Sequence, residues 1–415
     1  MGRGQPVVLA AVAAVVASGA AFAQQSDTPV VKQVGQIHDK LRMAREREGA
    51  ALAGEIGDAA SRYARMKKQI ADDTGISFSM DFSVLSQWGA PRGTDNAVQA
   101  LFTPNLNWRA FSDPRAGVGS FQFAYLAAQY WSQANAADLA GGLDLASPTN
   151  AWPVSVKYFK QATYTHQFPG QWLAVTLGQY PFSSFDGNTY ANDQQLGFIA
   201  NSLSQNGSQN YSKASLGAYL QVNPIREATL AVGFQDANNL TGSYLRFGTI
   251  GQGPHDWFLY GAWSPDIALL GQGQYLLFYY NLPGTPVQPQ ASEGLSFSAS
   301  QSVGRKWGLF LRANTAWNSS FAVQSSIAGG TVYNDPLGRN PLDQIGLGMA
   351  WNRINMSLYE GSFVRPSETM LELYWNWQLF KHLVITPDVQ LYLQPALTPN
   401  EEMAVAFTIR VTKLF

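Results

Sequence analysis

Nine side chains carry most of the chemistry this sequence offers: Arg109, Lys157, Arg246, Arg312, Glu368, Glu372, Tyr374, Asp388 and Arg410. Each lies in a stretch that reads as a β-strand, on the face opposite the apolar one. Opposed basic and acidic groups donate and accept hydrogen bonds together, which is the pattern the vicinal hydroxyls of a sugar present. An aromatic face such as Tyr374 can lie along the C–H surface of a pyranose, and weak, repeated contacts of this kind favour passage over trapping. The plainer alternative is that these charges pair with one another and keep a wet interior hydrated.

Covalent and metal chemistry find little support. The four histidines, His38, His166, His255 and His382, fall in no H-E-x-x-H or comparable ligand spacing, and the chain has no cysteine. The glycines of Gly248-Thr249-Ile250-Gly251-Gln252-Gly253 follow no strand-helix-strand pattern and read as a loop. No cofactor, metal or enzymatic reaction is expected, and a net charge of -1 gives no reason to expect nucleic acid.

The elements that must position the nine residues are strands. From Gly75 onward the apolar period is two: Ile76, Phe78, Met80, Phe82 and Val84 alternate with Ser77, Ser79, Asp81 and Ser83. The alternation returns at the far end, where Thr369, Leu371, Leu373, Trp375 and Trp377 oppose Glu368, Glu372, Tyr374, Asn376 and Gln378. Leu383, Ile385, Val389 and Leu391 then oppose Thr386, Asp388 and Gln390, and Met403, Val405, Phe407, Ile409 and Val411 oppose Ala404, Thr408 and Arg410. Further strands are expected near 97–111, 119–131, 153–166, 171–179, 213–222, 226–236, 242–250, 256–263, 273–280, 293–302, 306–317, 343–352 and 353–361. These make seventeen candidates; closed bacterial barrels carry even numbers, so sixteen is the expected count. Asn223-Pro224, Asn352-Arg353 and Phe380-Lys381 read as short periplasmic turns, and 133–151, 180–212 and 318–342 as long outer loops.

Composition sets this alternation in a membrane. Aromatic residues make up 13% and charged residues only 13%, against about 25% charged in an ordinary soluble domain. Beyond the first residues no apolar run is long enough for a spanning helix. A soluble sandwich would need abundant outward charge, whereas the polar faces here are mostly Ser, Gly, Asn, Gln and Tyr. The fold class expected is all-β: a transmembrane antiparallel β-barrel over residues 75–415, closed so that no strand edge meets lipid.

Two segments precede it. Arg3, the apolar stretch Val7 to Ala17 and the small-residue site Ala21-Phe22-Ala23 match a secretory signal over 1–23, with a mature start near Gln24. Residues 24–74 are rich in Ala, Lys, Arg and Glu and read as a periplasmic α-helical segment. Leu52, Ile56, Ala59, Tyr63, Met66 and Ile70 step by four and three, a coiled-coil seam, although Gly49, Gly54 and Gly57 weaken the helix. A single amphipathic helix against the barrel fits the same residues.

The run Arg365-Pro366-Ser367-Glu368-Thr369-Met370-Leu371-Glu372-Leu373-Tyr374-Trp375, followed by Ile385-Thr386-Pro387-Asp388-Val389-Gln390-Leu391-Tyr392 and Gln394-Pro395, resembles the C-terminal part of the OprB family of carbohydrate-selective porins. Terminal Phe415 also looks like the signature that outer-membrane barrels present to their assembly machinery. The resemblance covers residues 75–415; the helical prefix lies outside it, and Gln394 stands where the family often has Asn. It implies a sixteen-stranded, often homotrimeric barrel in the Gram-negative outer membrane, with an arginine- and glutamate-lined constriction that passes glucose and related sugars. Rival readings are a barrel that anchors the outer membrane to the cell wall through residues 24–72, and an exit channel for a secreted polysaccharide.

Overall fold

The computed structural model describes residues 58–415 apart from 91–95, 240, 287–288, 341, 361 and 381. The expected signal segment and the part of the helical prefix before residue 58 lie outside the described residues. Helix α1 (Asp58–Thr74) leads into β1 (Ile76–Ala90), β2 (Ala97–Asp113) and β3 (Gly117–Tyr130), then α2 (Ala136–Gly142), β4 (Val156–Gln167) and β5 (Leu173–Tyr180). A four-residue helix α3 (Asn201–Ser204) precedes β6 (Ser215–Ile225), β7 (Ala228–Asp236), β8 (His255–Trp263), a two-residue stub β9 (Asp266–Ile267) and β10 (Gly271–Leu282). The remaining strands are β11 (Ser292–Val303), β12 (Trp307–Trp317), β13 (Val323–Asn334), β14 (Gln344–Ile354), β15 (Ser367–Phe380), β16 (Leu383–Leu393) and β17 (Met403–Leu414).

Without the stub, these are sixteen long strands, each antiparallel to its neighbours, and β1 pairs with β17 to close the barrel. Closure satisfies the ladder hydrogen bonds that an open sheet would leave in hydrocarbon, where each costs several kcal/mol. On β17, Met403, Phe407, Ile409 and Val411 are exposed on the outer face while Ala404, Thr408, Arg410 and Thr412 are buried inside. The same alternation runs along β1, with Ser79, Asp81, Ser83 and Gln87 inside.

Two ends differ. Short turns join β2 to β3, β4 to β5, β6 to β7 and β11 to β12 at one end, which also carries α1 and the C-terminus. Met80 and Phe415 bond each other's backbones there, and the Tyr63 ring of α1 lies 5.9 Å from that of His382 in the β15–β16 turn. Ser61, Ala64 and Lys67 form the buried stripe of α1, whereas Met66 of the expected seam is 47% exposed. The opposite end carries the connections 131–155, 181–214 and 237–254.

The structure corrects several sequence expectations. Residues 242–250 form part of an exposed loop, and β14 runs on to Ile354, so the expected strand at 353–361 gives way after Ile354 to a turn region containing the 3-10 segment Met356–Leu358. Residues 318–342 contain β13 and are no single loop, and Asn352-Arg353 lies inside β14, pairing with Glu368 and Ser367, so it is no turn. Seventeen candidates less two, plus β13, gives sixteen, so the count was reached through offsetting errors. Inward aromatic rings lie flat where the facing residue is glycine: a Cβ at Gly346 would sit 2.2 Å from the Tyr374 ring, and one at Gly294 2.2 Å from the Tyr280 ring.

Candidate permeation pathway

Two loops turn into the lumen. In the β3–β4 connection, Asn135 caps α2: its Oδ1 accepts from the Ala137 and Asp138 amides at 2.9 and 3.1 Å, and Asp138 accepts the Asn135 amide in return. The helix delivers Leu139 and Leu143 to a buried apolar cluster. Phe198 and Leu203 from the β5–β6 connection join them against inward Phe310, Met370, Tyr374 and Tyr392. Phe182 and Phe185 at the start of the same loop pack on Tyr219, Phe258, Phe278 and Tyr280 of the wall. Phe258, Phe278, Tyr280 and Phe310 on the lumen faces of β8, β10 and β12 are thus covered by a second layer of protein.

Backbone groups that enter the barrel without a ladder need partners, and the wall charges supply them. Glu368 accepts from the Ala146 amide at 3.0 Å, the Ser147 amide at 3.2 Å and the Ser147 hydroxyl, and from the Ala396 amide at 3.1 Å. Glu372 accepts from the Ile199 and Ala200 amides at 2.5 and 3.0 Å. Arg312 donates to the carbonyls of Ala191 and Leu203 at 3.1 and 3.4 Å. Arg410 donates to the carbonyls of Gln194 and, at 2.9 Å, Gly197, and reaches Asn376 Oδ1 and Thr386 Oγ1 on the wall at 3.0 and 3.2 Å. The two loops also bond each other, Asn201 amide to Pro148 carbonyl at 3.3 Å and Gln205 Nε2 to Ala151 carbonyl at 2.9 Å. Four of the nine sequence-selected residues thus converge in the lumen, where they act as charge-assisted clamps on the loops.

The other five are placed differently. Asp388 faces inward across the ladder from Tyr374, with Gln390 donating to it at 3.4 Å. Tyr374 is wholly buried, edge-on to Phe198 with centroids 4.9 Å apart and its hydroxyl on Gln344, so it offers no free face to a solute. Arg109 is exposed at the α1 end of β2, its amide bonded to Gly75. Lys157 was expected inside but faces outward: a bulge inserts Lys160 between the pairs Ala124–Gln161 and Tyr125–Phe159, and one extra residue reverses the alternation above it. Arg246 was expected on a strand but belongs to the exposed 237–254 loop, where it bonds Tyr244.

With the charges engaged, the lumen wall of β3 to β6 is neutral and hydroxyl- or amide-bearing. Gln122 Oε1 accepts from Thr163 and Thr165 at 2.7 and 3.1 Å, and its Nε2 donates to Ser120 at 2.8 Å. Thr165 meets Thr176 at 2.8 Å, and Gln221 donates to Asn223 at 3.1 Å. The belt carries no charge, so none of the nine residues chosen for their chemistry belongs to it. Its signal was present in the polar positions of the alternation itself, such as Gln122 between Phe121 and Phe123.

Comparison with known proteins decides the family. The carbohydrate-selective porin model of the OprB family matches residues 239–415. Porin AaxA of Chlamydia felis is 33% identical over 360 residues, covering 83% of this chain and 79% of that protein, and Porin AaxA of Chlamydia caviae is 32% identical over 354 residues. The chain belongs to the OprB family of porins. The high-pH structure of Pseudomonas putida OprB superposes with a TM-score of 0.68 at 16% identity, covering 85% of this chain and 97% of that one, which supports the shared barrel fold. As an OprB-family porin, the protein is a channel of the outer membrane.

Proposed function

We propose that this porin passes small neutral solutes by passive diffusion, carbohydrates such as glucose among them, with the long-loop end facing outward and α1 in the periplasm. The observation that carries the reading is the division of labour in the lumen: charged groups hold the loops, and a Ser, Thr, Asn and Gln belt remains along β3 to β6. Such groups exchange hydrogen bonds with a sugar's hydroxyls or with water at little net cost, so a neutral solute meets neither a deep well nor a barrier. A homotrimer fits the family, and the exposure of Met66 on α1 supports contact between copies there.

Liposomes containing the purified protein are expected to swell in glucose, and a preparation that stays sealed to every sugar would favour the anchor reading. The belt makes a second forecast. Gln122→Glu keeps an oxygen for Thr163 and Thr165 while adding one negative charge to the wall. Cation over anion permeability is then expected to rise about fivefold or more, since a unit charge at ~4 Å is worth about 1 kcal/mol in water and more at a position as buried as Gln122. Reversal potentials in a salt gradient measure it, and an unchanged potential removes β3 from the pathway.

A further inference from the structure

Two of the cations that alternation assigned to the lumen belong instead to segments that meet at the long-loop end, Lys157 on the outer face of β4 and Arg246 on the exposed 237–254 loop. Lys157 lies two pairs beyond the outward Tyr125–Phe159 couple, on the same face, with those ring centroids 5.3 Å apart and Phe159 46% exposed. The 237–254 loop reaches the end of β4 at buried Gly242, whose carbonyl accepts the Phe159 amide at 3.2 Å and the inward Gln179 Nε2 at 3.0 Å. Gly242 also abuts Ala214, 3.0 Å from where a Cβ would stand, and the preceding Lys213 is exposed. Segments bearing Lys157, Lys213 and Arg246 therefore meet around Gly242. Among the described residues none of the three is in an ion pair.

The loop has a second unusual property. Tyr244, Leu245 and Phe247 are 56, 42 and 71% exposed, and the Arg246 guanidinium lies 5.0 Å from the Tyr244 ring while donating to its hydroxyl at 2.9 Å. Exposed apolar groups are unfavourable against water, yet aromatic side chains with interleaved cations are what the boundary between acyl chains and headgroups selects. The outer wall of a barrel faces lipid, so a cationic, aromatic rim there faces headgroups.

We propose that this rim binds the phosphate groups of an outer-leaflet lipid, with Lys157, Lys213 and Arg246 at the phosphates and Phe159, Leu245 and Phe247 against its acyl chains. The leaflet rests on the orientation proposed above. The test uses the full chain in detergent, with bisphosphorylated lipid A and the same lipid stripped of its phosphates as probes, read by native mass spectrometry. The wild-type protein is expected to retain the phosphorylated lipid through detergent exchange and to release the stripped one. Lys157→Gln/Lys213→Gln/Arg246→Gln is expected to bind about a hundredfold more weakly, at roughly fivefold for each cation removed. Arg246→Glu alone, on an exposed loop outside the strands, covers a triple variant that does not assemble, and is expected to lose at least fivefold. Equal retention of both lipids, unchanged binding by Arg246→Glu, displacement by millimolar inorganic phosphate, or dissociation of an oligomer without loss of lipid overturns the proposal. Conductance recorded on the same preparations separates it from the channel reading: a conducting protein that retains no lipid defeats this inference alone.

Discussion

Arg410→Ala is expected to open the channel. The guanidinium joins the wall, through Asn376 and Thr386, to the carbonyls of Gln194 and Gly197 at the inner turn of the 181–214 loop. Hydrogen bonds to charged groups contribute roughly 1.5–3 kcal/mol each, and alanine removes all four while leaving the carbonyls without replacements. The loop retains Arg312 and Glu372, so it loosens without leaving the lumen entirely. Single-channel conductance is expected to rise several-fold, with larger sugars admitted and greater current noise. Arg410→Lys is expected to fall between, because one ammonium cannot span four acceptors on two sides. Conductance and size cut-off identical to wild type in Arg410→Ala would show that the loop does not narrow the pore.

Glu368→Ala has the other large expected effect, on the 131–155 loop. Its carboxylate satisfies three donors at Ala146 and Ser147 and a fourth at Ala396, all in regions away from bulk water. Stranding a buried donor costs about 1–3 kcal/mol, so the loop is expected to leave the wall, with its apolar contacts through Leu139 and Leu143 strained in turn. The absence of native cysteine makes this easy to follow: a cysteine introduced at Ala151, a position 5% exposed, gives a single labelling site. Labelling from solution is expected to be slow with Glu368 present and at least tenfold faster with alanine there, since tenfold corresponds to about 1.4 kcal/mol of loop opening. Equal rates in the two backgrounds would sink the clamp assignment.

The barrel was legible where each strand has one face on lipid and the other on polar surroundings, as in β1, β15, β16 and β17. It was illegible where the inner face meets an infolded loop. On β13, Ala328 and Val332 point inward into the apolar cluster, and Gly329 and Gly330 remove contrast from both faces, so a strand read as loop. Phe258 and Phe278 pack inside while Leu259 and Leu277 face lipid, which leaves β8 and β10 apolar on both sides. Lys157 was misplaced by one inserted residue, a feature of the pairing between two strands that neither strand's own composition reveals. Glu368, Glu372, Arg312 and Arg410 lie buried inside the barrel, where their partners include backbone groups of distant loops. No spacing rule links Glu372 to Ile199 across 173 positions.

The seam between β1 and β17 sets the timing of assembly. Every other ladder among the long strands joins consecutive ones, whereas this one aligns Asp81 with Leu414 and Ala90 with Val405. Contacts between residues so far apart in the chain form late, because closing a longer loop costs more entropy and slows the search. Until they form, the first and last strands each present an open row of amides and carbonyls to any neighbouring chain. The interval before the terminal strand reaches β1 is therefore the period of greatest hazard for aggregation. A free peptide copying Met403–Leu414 is a rational competitor for β1 during that interval.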